Sequence, residues 1–181
     1  MRYLPNILTT IRIIIAPVFF YFFLWGSENA KFVAVSLFII AALSDMLDGY
    51  LARRYNAAST TGRILDPIAD KVLAWLGMIT AASVGWLSFY LIGLVILRDV
   101  VVTLYRLIFP HKKKVISPIR LAKYKTTAQL SVLAVIFILS LVVSKKPSLP
   151  LWLGTNIAFA VVVVITLWTG SHYIKEASKN A

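Results

Sequence analysis

The sequence predicts an all-α integral membrane protein with six transmembrane helices, and three observations support this fold class. Hydrophobic residues make up 60% of its 181 residues and charged residues 14%, whereas soluble domains average about 45–50% and about 25%. A mean hydropathy of +0.83 also excludes intrinsic disorder, which requires low hydrophobicity. The apolar residues fall into six segments, each close to the roughly 20 residues that a helix needs to cross a bilayer.

Short polar or Gly- and Pro-containing connections separate these segments, and we expect a single domain over residues 1–181. The opening turns of the first segment carry Asn6, Thr9 and Arg12, so this N-terminal portion is expected at the membrane interface. The predicted spans are residues 4–25, 32–53, 64–84, 87–108, 121–143 and 149–173.

An even number of spans places both termini on one side of the membrane, and the distribution of charge indicates which side. Of the 19 Lys and Arg residues, only Lys31, Lys145 and Lys146 fall on the opposite side. Because cytoplasmic loops carry the excess of basic residues in membrane proteins, the termini are predicted to be cytosolic.

Several basic residues lie inside or at the edge of the apolar helices, where topology does not require them. They are Arg12, Lys71, Arg98 and Arg106. Charges at such positions are costly and usually face a polar cavity. A positively charged cavity that opens to the cytosol favours a phosphorylated or otherwise anionic ligand.

Four of the seven acidic residues fall within residues 45–70, which we call the acidic segment. Asp45 and Asp48 are three residues apart near the end of the second span. Asp66 and Asp70 are four apart at the start of the third, so each pair shares a helix face. The connection between the spans returns the chain to the same membrane surface. The four carboxylates can therefore converge, and their mutual repulsion requires a cation among them.

Two kinds of cation are open: nearby arginines in a structural salt-bridge network, or divalent metal ions. Oxygen ligands favour Mg²⁺ or Mn²⁺, whereas zinc favours His or Cys. The chain contains no cysteine, which also excludes disulfides and thiol nucleophiles. His111 and His172 lie far from the acidic segment in sequence and are expected at the membrane interface.

Small residues accompany the aspartates. Gly49 and Ala52 lie on the acidic face of the second span, and Gly62 lies one turn before Asp66. They leave room for a bulky substrate to approach the backbone, although small residues also mediate helix packing in membranes. Arg53 is placed either to bind a phosphate or to snorkel to the membrane surface.

Two residues beside the third-span aspartates also bear on the site. Pro67 is compatible with the first turn of a helix, which would place Asp66 near the positive end of the helix dipole. Lys71 follows Asp70 but points about 100° away from it around the helix. We expect Lys71 either to hold a neighbouring carboxylate or to snorkel.

The acidic segment reads D-x-x-D-G-x-x-A-R-x₈-G-x-x-x-D-x-x-x-D, and this pattern resembles the signature of the CDP-alcohol phosphatidyltransferase family with no position missing. The resemblance implies a homodimer of six-helix protomers in a bacterial cytoplasmic membrane, each with a cytosol-facing polar cavity. An alcohol would displace CMP there from CDP-diacylglycerol. The implied partners are CDP-diacylglycerol, a small phosphorylated alcohol and membrane lipids, and no nucleic acid is expected.

The resemblance also implies roles for the matching residues. Two divalent ions, Mg²⁺ or Mn²⁺, would be bound in each protomer, and Asp70 would act as the general base. The implied metal ligands are Asp45, Asp48, Asp66 and Asp70. The residues implied in CDP binding are Asp48, Gly49, Ala52, Arg53, Gly62 and Asp66.

Two further motifs resemble the phosphatidylglycerophosphate synthases of this family: P-N-x-L-T-x-x-R, from Pro5 to Arg12, and K-x-K-T-T-A-Q, from Lys123 to Gln129. The implied acceptor is sn-glycerol 3-phosphate, because the basic residues exceed what an uncharged alcohol needs. The residues implied in acceptor binding are Asn6, Thr9, Arg12, Arg98, Arg106, Lys123 and Lys125.

Other acceptors and functions stay open. Asp99 and Ala122 stand where phosphatidylglycerophosphate synthases usually carry Glu and Gly. The Arg98–Asp99 pair resembles cardiolipin synthases, whose acceptor is phosphatidylglycerol, or it is simply an intramembrane ion pair. An inositol phosphate is a further alternative acceptor. A cation transporter is a distant alternative. It would have acidic residues distributed across the membrane depth, whereas the four aspartates of the acidic segment are predicted near one membrane surface.

Overall fold

The computed structural model describes the backbone of residues 4–55, 62–108, 120–143 and 146–179, and the side chains of residues 10–44, 71–105, 125–143 and 146–172. These ranges contain helices and turns and no strand, which confirms the all-α prediction. The helices are α1 (Leu4–Trp25), α2 (Glu28–Tyr55), α3 (Gly62–Ser83), α4 (Phe89–Ile108), α5 (Arg120–Val142) and α6 (Leu149–Lys179).

Helix α2 begins four residues before the predicted start of the second span, because Ser27 caps it. The Ser27 hydroxyl accepts a hydrogen bond from the Ala30 N–H (3.4 Å), and the Ser27 carbonyl accepts one from the Lys31 N–H (2.9 Å). Glu28 then forms an ion pair with Lys31 (2.8 Å) in the first turn. The prediction placed this start by hydropathy alone, whereas a helix begins at the residue that satisfies its free N–H groups. Helix α6 likewise continues six residues beyond the predicted span, into its polar end.

The turn between α3 and α4 is a C-capping motif built on Gly85. The Gly85 N–H donates to the Ala82 carbonyl and the Trp86 N–H donates to the Ala81 carbonyl, both at 2.9 Å. This pairing is the Schellman motif, in which the residue after the helix cap is left-handed. Gly85 has a φ of 84°, and glycine adopts this conformation without steric cost.

Helix α6 holds this turn in place through neutral hydrogen bonds. The Asn156 side chain accepts from the Ser88 N–H (2.8 Å) and donates to the Trp86 carbonyl (3.1 Å), and the Thr155 hydroxyl donates to the same carbonyl (3.1 Å). Trp86 and both of these α6 side chains are buried. The bonds join α6 to the α3–α4 turn at the end of the bundle opposite to the acidic segment.

Aromatic side chains form the centre of the core. The rings of Phe19 in α1, Phe38 in α2 and Phe137 in α5 contact one another at centroid distances of 4.9–5.0 Å. Helix α1 packs against α2 and α3, and α5 packs against α2, α3 and α6. Helix α4 packs mainly against α6 and also against α3. Helix α3 therefore lies between the α1/α5 side of the bundle and α4.

The outward surface of the described helices is apolar. Examples with more than half of the residue exposed are Tyr21, Ile40, Leu97, Val135 and Val164. Soluble monomers rarely expose large apolar patches, so this surface is suited to lipid. Two segments within the described residues are long and apolar enough to cross a membrane, Lys125–Val142 and Leu149–His172, and Thr10–Trp25 and Lys71–Ser83 are shorter apolar stretches.

The Gly85 turn yields a stability prediction. Gly85→Ala should lower the free energy of unfolding by about 1–2 kcal/mol, because an alanine is strained in the left-handed region, although a Cβ there would meet no atom within 4 Å. Thermal unfolding of the purified protein in detergent measures the change. Gly93→Ala is the matched control: a Cβ there also meets open space, and the helical backbone should keep the effect neutral or stabilising by up to about 1 kcal/mol. Equal melting temperatures for the two variants would contradict the conformational argument.

Candidate active site

The aspartates of the acidic segment lie at facing ends of two consecutive helices. Asp45 and Asp48 belong to the last turns of α2, and Asp66 and Asp70 to the first turns of α3. The helical spacing that the sequence predicts for each pair is therefore present in the backbone. The side chains of residues 45–70 lie outside the described residues, so their predicted roles in binding metal and CDP stay predictions.

The structure corrects the placement of Pro67. Helix α3 begins at Gly62, so Pro67 is its sixth residue and not part of its first turn. No acidic residue occupies the first turn of α3, and the helix dipole loses most of its effect beyond that turn. The expected support of Asp66 by the dipole is therefore weaker than the sequence suggested.

A buried carboxylate next to this region binds two cations. The Asp99 Oδ1 atom on α4 accepts hydrogen bonds from the Arg98 guanidinium (2.9 Å) and from the Lys125 ammonium on α5 (2.8 Å). The side chains of these residues are 9%, 14% and 11% exposed, respectively. The Arg98–Asp99 ion pair, one of the two interpretations of this sequence, is thus present, and Lys125 makes it a triad that joins α4 to α5.

Arg98 extends this network to α6. Its second terminal nitrogen donates to the Thr169 hydroxyl (3.3 Å), and its aliphatic part lies against the backbone at Gly170. The network therefore joins α4, α5 and α6.

Lys71 adds a fourth helix. Its ammonium donates to the Thr103 hydroxyl on α4, and that hydroxyl donates to the Asp99 carbonyl (2.6 Å). Lys71 and Arg98 both lie close enough to Lys125 to repel its charge. Because Asp70 directly precedes Lys71, its Cα lies about 4 Å from that of Lys71. The network therefore adjoins the backbone of the acidic segment.

We call Lys71, Arg98, Asp99 and Lys125 the cationic cluster. It contains three cationic side chains and one carboxylate. Arg12 on α1 is also buried, at 3% exposure. An anionic group that enters this region would be bound by charge-assisted hydrogen bonds. The chemistry that this arrangement supports is the binding of a phosphate or carboxylate.

The predicted acceptor residues have different outcomes. Arg98 and Lys125 are brought together by Asp99, and Arg12 is buried on α1. Gln129, at the end of the second motif, is buried and donates to the Met78 sulfur (3.3 Å). The expected positions of Asn6, Thr9, Arg106, Lys123 and His111 lie outside the described side chains. His172 is partly buried, with its ring 5.9 Å from that of Trp168.

Sequence reasoning missed the residues that hold the cluster in place. Thr103 lies four residues after Asp99, a spacing that shares a helix face, so it could have been found. Thr169 and Gly170 carry no such signal, because hydroxyl and small residues are common in apolar helices.

The described side chains contain no group of three or more His, Cys, Asp or Glu that could hold a metal ion. The predicted metal ligands all belong to the acidic segment. Four aspartates form an oxygen-donor set suited to Mg²⁺ or Mn²⁺, so the residue types fit the predicted ions.

Comparison with known proteins decides the family. The model of the CDP-alcohol phosphatidyltransferase family matches residues 2–170. The chain belongs to this family. CDP-alcohol phosphatidyltransferases are generally dependent on divalent metal ions, and family membership together with the two apolar helices indicates a membrane protein.

Two bacterial relatives carry the same name, CDP-diacylglycerol–glycerol-3-phosphate 3-phosphatidyltransferase. The chain is 37% identical to the Cereibacter sphaeroides protein over 139 residues, which cover 75% of the chain and 63% of that relative. It is 30% identical to the Escherichia coli K12 protein over 178 residues, which cover 96% of the chain and 94% of that relative. The chain thus matches somewhat less than two thirds of the first relative and nearly all of the second.

The cationic cluster yields a second stability prediction. Asp99→Asn should destabilise the protein by about 3–5 kcal/mol, because it leaves Arg98 and Lys125 buried without their carboxylate. Thermal unfolding in detergent measures the loss. Glu28→Gln is the control, since it removes an exposed ion pair and should cost no more than about 1 kcal/mol. A melting temperature of Asp99→Asn equal to that of the control would show that the cluster does not depend on this carboxylate.

Proposed function

We propose that this protein transfers the phosphatidyl group of CDP-diacylglycerol to sn-glycerol 3-phosphate, giving phosphatidylglycerophosphate and CMP. Family membership supports the reaction type, and the names of both relatives support the acceptor. The single observation that carries the proposal is the cationic cluster, in which Asp99 holds Arg98 and Lys125 together, because two adjacent cations suit an acceptor that has its own phosphate.

In this reaction the acceptor hydroxyl oxygen attacks the phosphorus that bears the diacylglycerol. The bond from that phosphorus to the CMP oxygen breaks, and CMP leaves with the bonding electrons. Asp70 takes the hydroxyl proton in our proposal, and the acceptor phosphate binds at Arg98 and Lys125. The position of Lys71 supports this division of roles, because Lys71 belongs to the cluster and directly follows Asp70 in the chain.

The remaining residues of the acidic segment would bind the donor. Gly49, Ala52 and Gly62 would leave room for the cytidine diphosphate, and Arg53 would bind one of its phosphates. Two divalent ions, Mg²⁺ or Mn²⁺, held by Asp45, Asp48, Asp66 and Asp70, would neutralise the charge of the diphosphate and of the departing CMP.

We further propose six membrane spans, cytosolic termini, a cytosol-facing polar cavity and a homodimer in a bacterial cytoplasmic membrane. The apolar outward surface of the helices and the distribution of basic residues support the spans and their orientation. The dimer is proposed from the family alone. A cation transporter is disfavoured, because the chain belongs to a family of phosphatidyltransferases.

Two grooves on either side of α5 are suited to the acyl chains. One, of about 70 Å³, lies between α2 and α5, and its lining includes Ala42, Leu43 and Ala134. The other, of about 470 Å³, lies between α5 and α6 and is almost entirely apolar. Ser131 lines both. Since Ala42 is three residues before Asp45, the first groove starts about one helical turn from the acidic segment, which supports a path for the lipid from the diphosphate into the bilayer.

Release of CMP from CDP-diacylglycerol tests the function. With Mg²⁺ or Mn²⁺ the purified protein should release CMP with glycerol 3-phosphate, and far less with serine or free inositol, which lack a phosphate. Chelation by EDTA should abolish release. Phosphatidylglycerol and inositol phosphate complete the acceptor panel.

The outcomes separate the alternatives. Release only with phosphatidylglycerol would replace the acceptor by that of a cardiolipin synthase, and release only with inositol phosphate would replace it likewise. No release with any acceptor would overturn the enzyme function. Asp70→Asn should lower turnover by about 10²-fold or more, the contribution of a general base, and full activity of this variant would refute the assignment of the base.

The groove between α2 and α5 gives a separate prediction. Ala134→Phe should fill it and raise the KM for long-chain CDP-diacylglycerol about tenfold, the equivalent of roughly 1.4 kcal/mol of lost binding. The KM for a short-chain, water-soluble analogue should stay unchanged, because its chains do not reach the groove. Ile138→Phe, also on α5 but exposed and outside both groove linings, is the control. Equal effects on both substrates would contradict the proposed path.

A further inference from the structure

We propose that Thr169 and Gly170 of α6 are positioning residues: they fix the Arg98 guanidinium where it binds the acceptor phosphate, and so set the preference for phosphorylated alcohols. This inference rests on the proposed function and extends it to two residues that lie in none of the sequence motifs.

Gly170 permits a close approach between α4 and α6. A Cβ on this residue would lie 2.6 Å from the Nε of Arg98, 3.1 Å from its Cγ and 3.4 Å from its Cδ. Contacts below 3.0 Å are essentially never seen for real Cβ atoms, and the Nε at this distance is part of the guanidinium. Any other residue at position 170 would therefore displace the Arg98 guanidinium from its present place.

Thr169 orients the other end of the same side chain. Its hydroxyl lies 2.9 Å from the Ile165 carbonyl and 3.0 Å from the Thr166 carbonyl, to which it can donate its one hydrogen. Its lone pairs are then directed away from the helix backbone, and one accepts from the Arg98 Nη2 (3.3 Å). The helix thus determines the orientation of the hydroxyl, and the hydroxyl determines that of the guanidinium.

These contacts decide which donors of Arg98 are left for a ligand. One N–H of Nη1 goes to Asp99 and one of Nη2 goes to Thr169. The Nε is buried, and no partner accepts from it in the part of the chain that the structure describes. A guanidinium has five N–H groups in a fixed planar arrangement. The two remaining N–H groups, one on each terminal nitrogen, are therefore the ones presented to an anion, in a direction set by α6.

A kinetic split tests the inference. Gly170→Ala should raise the KM for glycerol 3-phosphate about tenfold, the loss expected for a misplaced charge-assisted contact. The KM for CDP-diacylglycerol and the kcat should stay within about twofold, because the change removes binding that the ground and transition states share. The selectivity for glycerol 3-phosphate over free glycerol, as a ratio of kcat/KM, should fall by a similar factor. Thr169→Val, which keeps the shape but removes the hydroxyl, should produce a smaller change of the same kind.

Two controls make the effect specific to Arg98. Gly93→Ala on α4, where a Cβ meets no atom within 4 Å, should leave all three parameters unchanged. In an Arg98→Lys background, Gly170→Ala should have little further effect on the KM for glycerol 3-phosphate, because two residues that act through one side chain are not additive.

Each outcome has one meaning. An unchanged KM for glycerol 3-phosphate in active Gly170→Ala and Thr169→Val proteins would overturn this inference and leave the proposed function intact. An equal increase in the KM for glycerol 3-phosphate and in the KM for CDP-diacylglycerol would show that the two residues have only a structural role, and would also overturn this inference. If the wild-type protein fails to release CMP with every phosphorylated acceptor, the inference and the proposed function are overturned together. If Gly170→Ala does not fold, Thr169→Val decides between the same outcomes.

Discussion

The arrangement of α4, α5 and α6 depends on one buried carboxylate, that of Asp99. A single oxygen of this group accepts from Arg98 and from Lys125, so it joins α4 to α5 directly and to α6 through Arg98. Without it, two cations would repel each other in surroundings of low dielectric constant. The carboxylate offsets that repulsion. The fold can therefore hold two cations at a defined place, and adjacent cations are suited to an anionic substrate.

The two ends of the bundle are stabilised by different kinds of interaction. At the end opposite to the acidic segment, α6 binds the α3–α4 turn through the neutral side chains of Thr155 and Asn156. The aromatic rings of α1, α2 and α5 pack between the ends. Neither set of contacts depends on charge or on a ligand. One end of the bundle can therefore contain charged side chains that are costly to bury, because the neutral and aromatic contacts stabilise the fold without a bound ligand.

The sequence predicts those features of the structure that have a recognisable pattern of residues, and it does not predict those that depend on contacts between helices. Long apolar runs marked all of the helices, but the start of α2 was misplaced because Ser27 begins it by capping free N–H groups. Arg98 and Lys125 were predictable, since charges in apolar helices are costly and therefore stand out. Pro67 was placed wrongly, because compatibility with the first turn of a helix does not determine where the helix begins. Thr169 and Gly170 were invisible for a related reason: only the crossing of α4 over α6 determines which small residue faces the arginine.

The aspartate at position 99 also clarifies the acceptor. The sequence marked it as a departure, because phosphatidylglycerophosphate synthases usually carry a glutamate there. Aspartate and glutamate differ in side-chain length and not in charge, and in the structure a carboxylate still lies between Arg98 and Lys125. An aspartate is one methylene shorter than a glutamate, and the backbone carbonyl of Asp99 accepts from the Thr103 hydroxyl, to which Lys71 donates. Either residue supplies one carboxylate, so the pairing of Arg98 with Lys125, and with it the suitability of this place for a phosphate, does not require a glutamate at position 99.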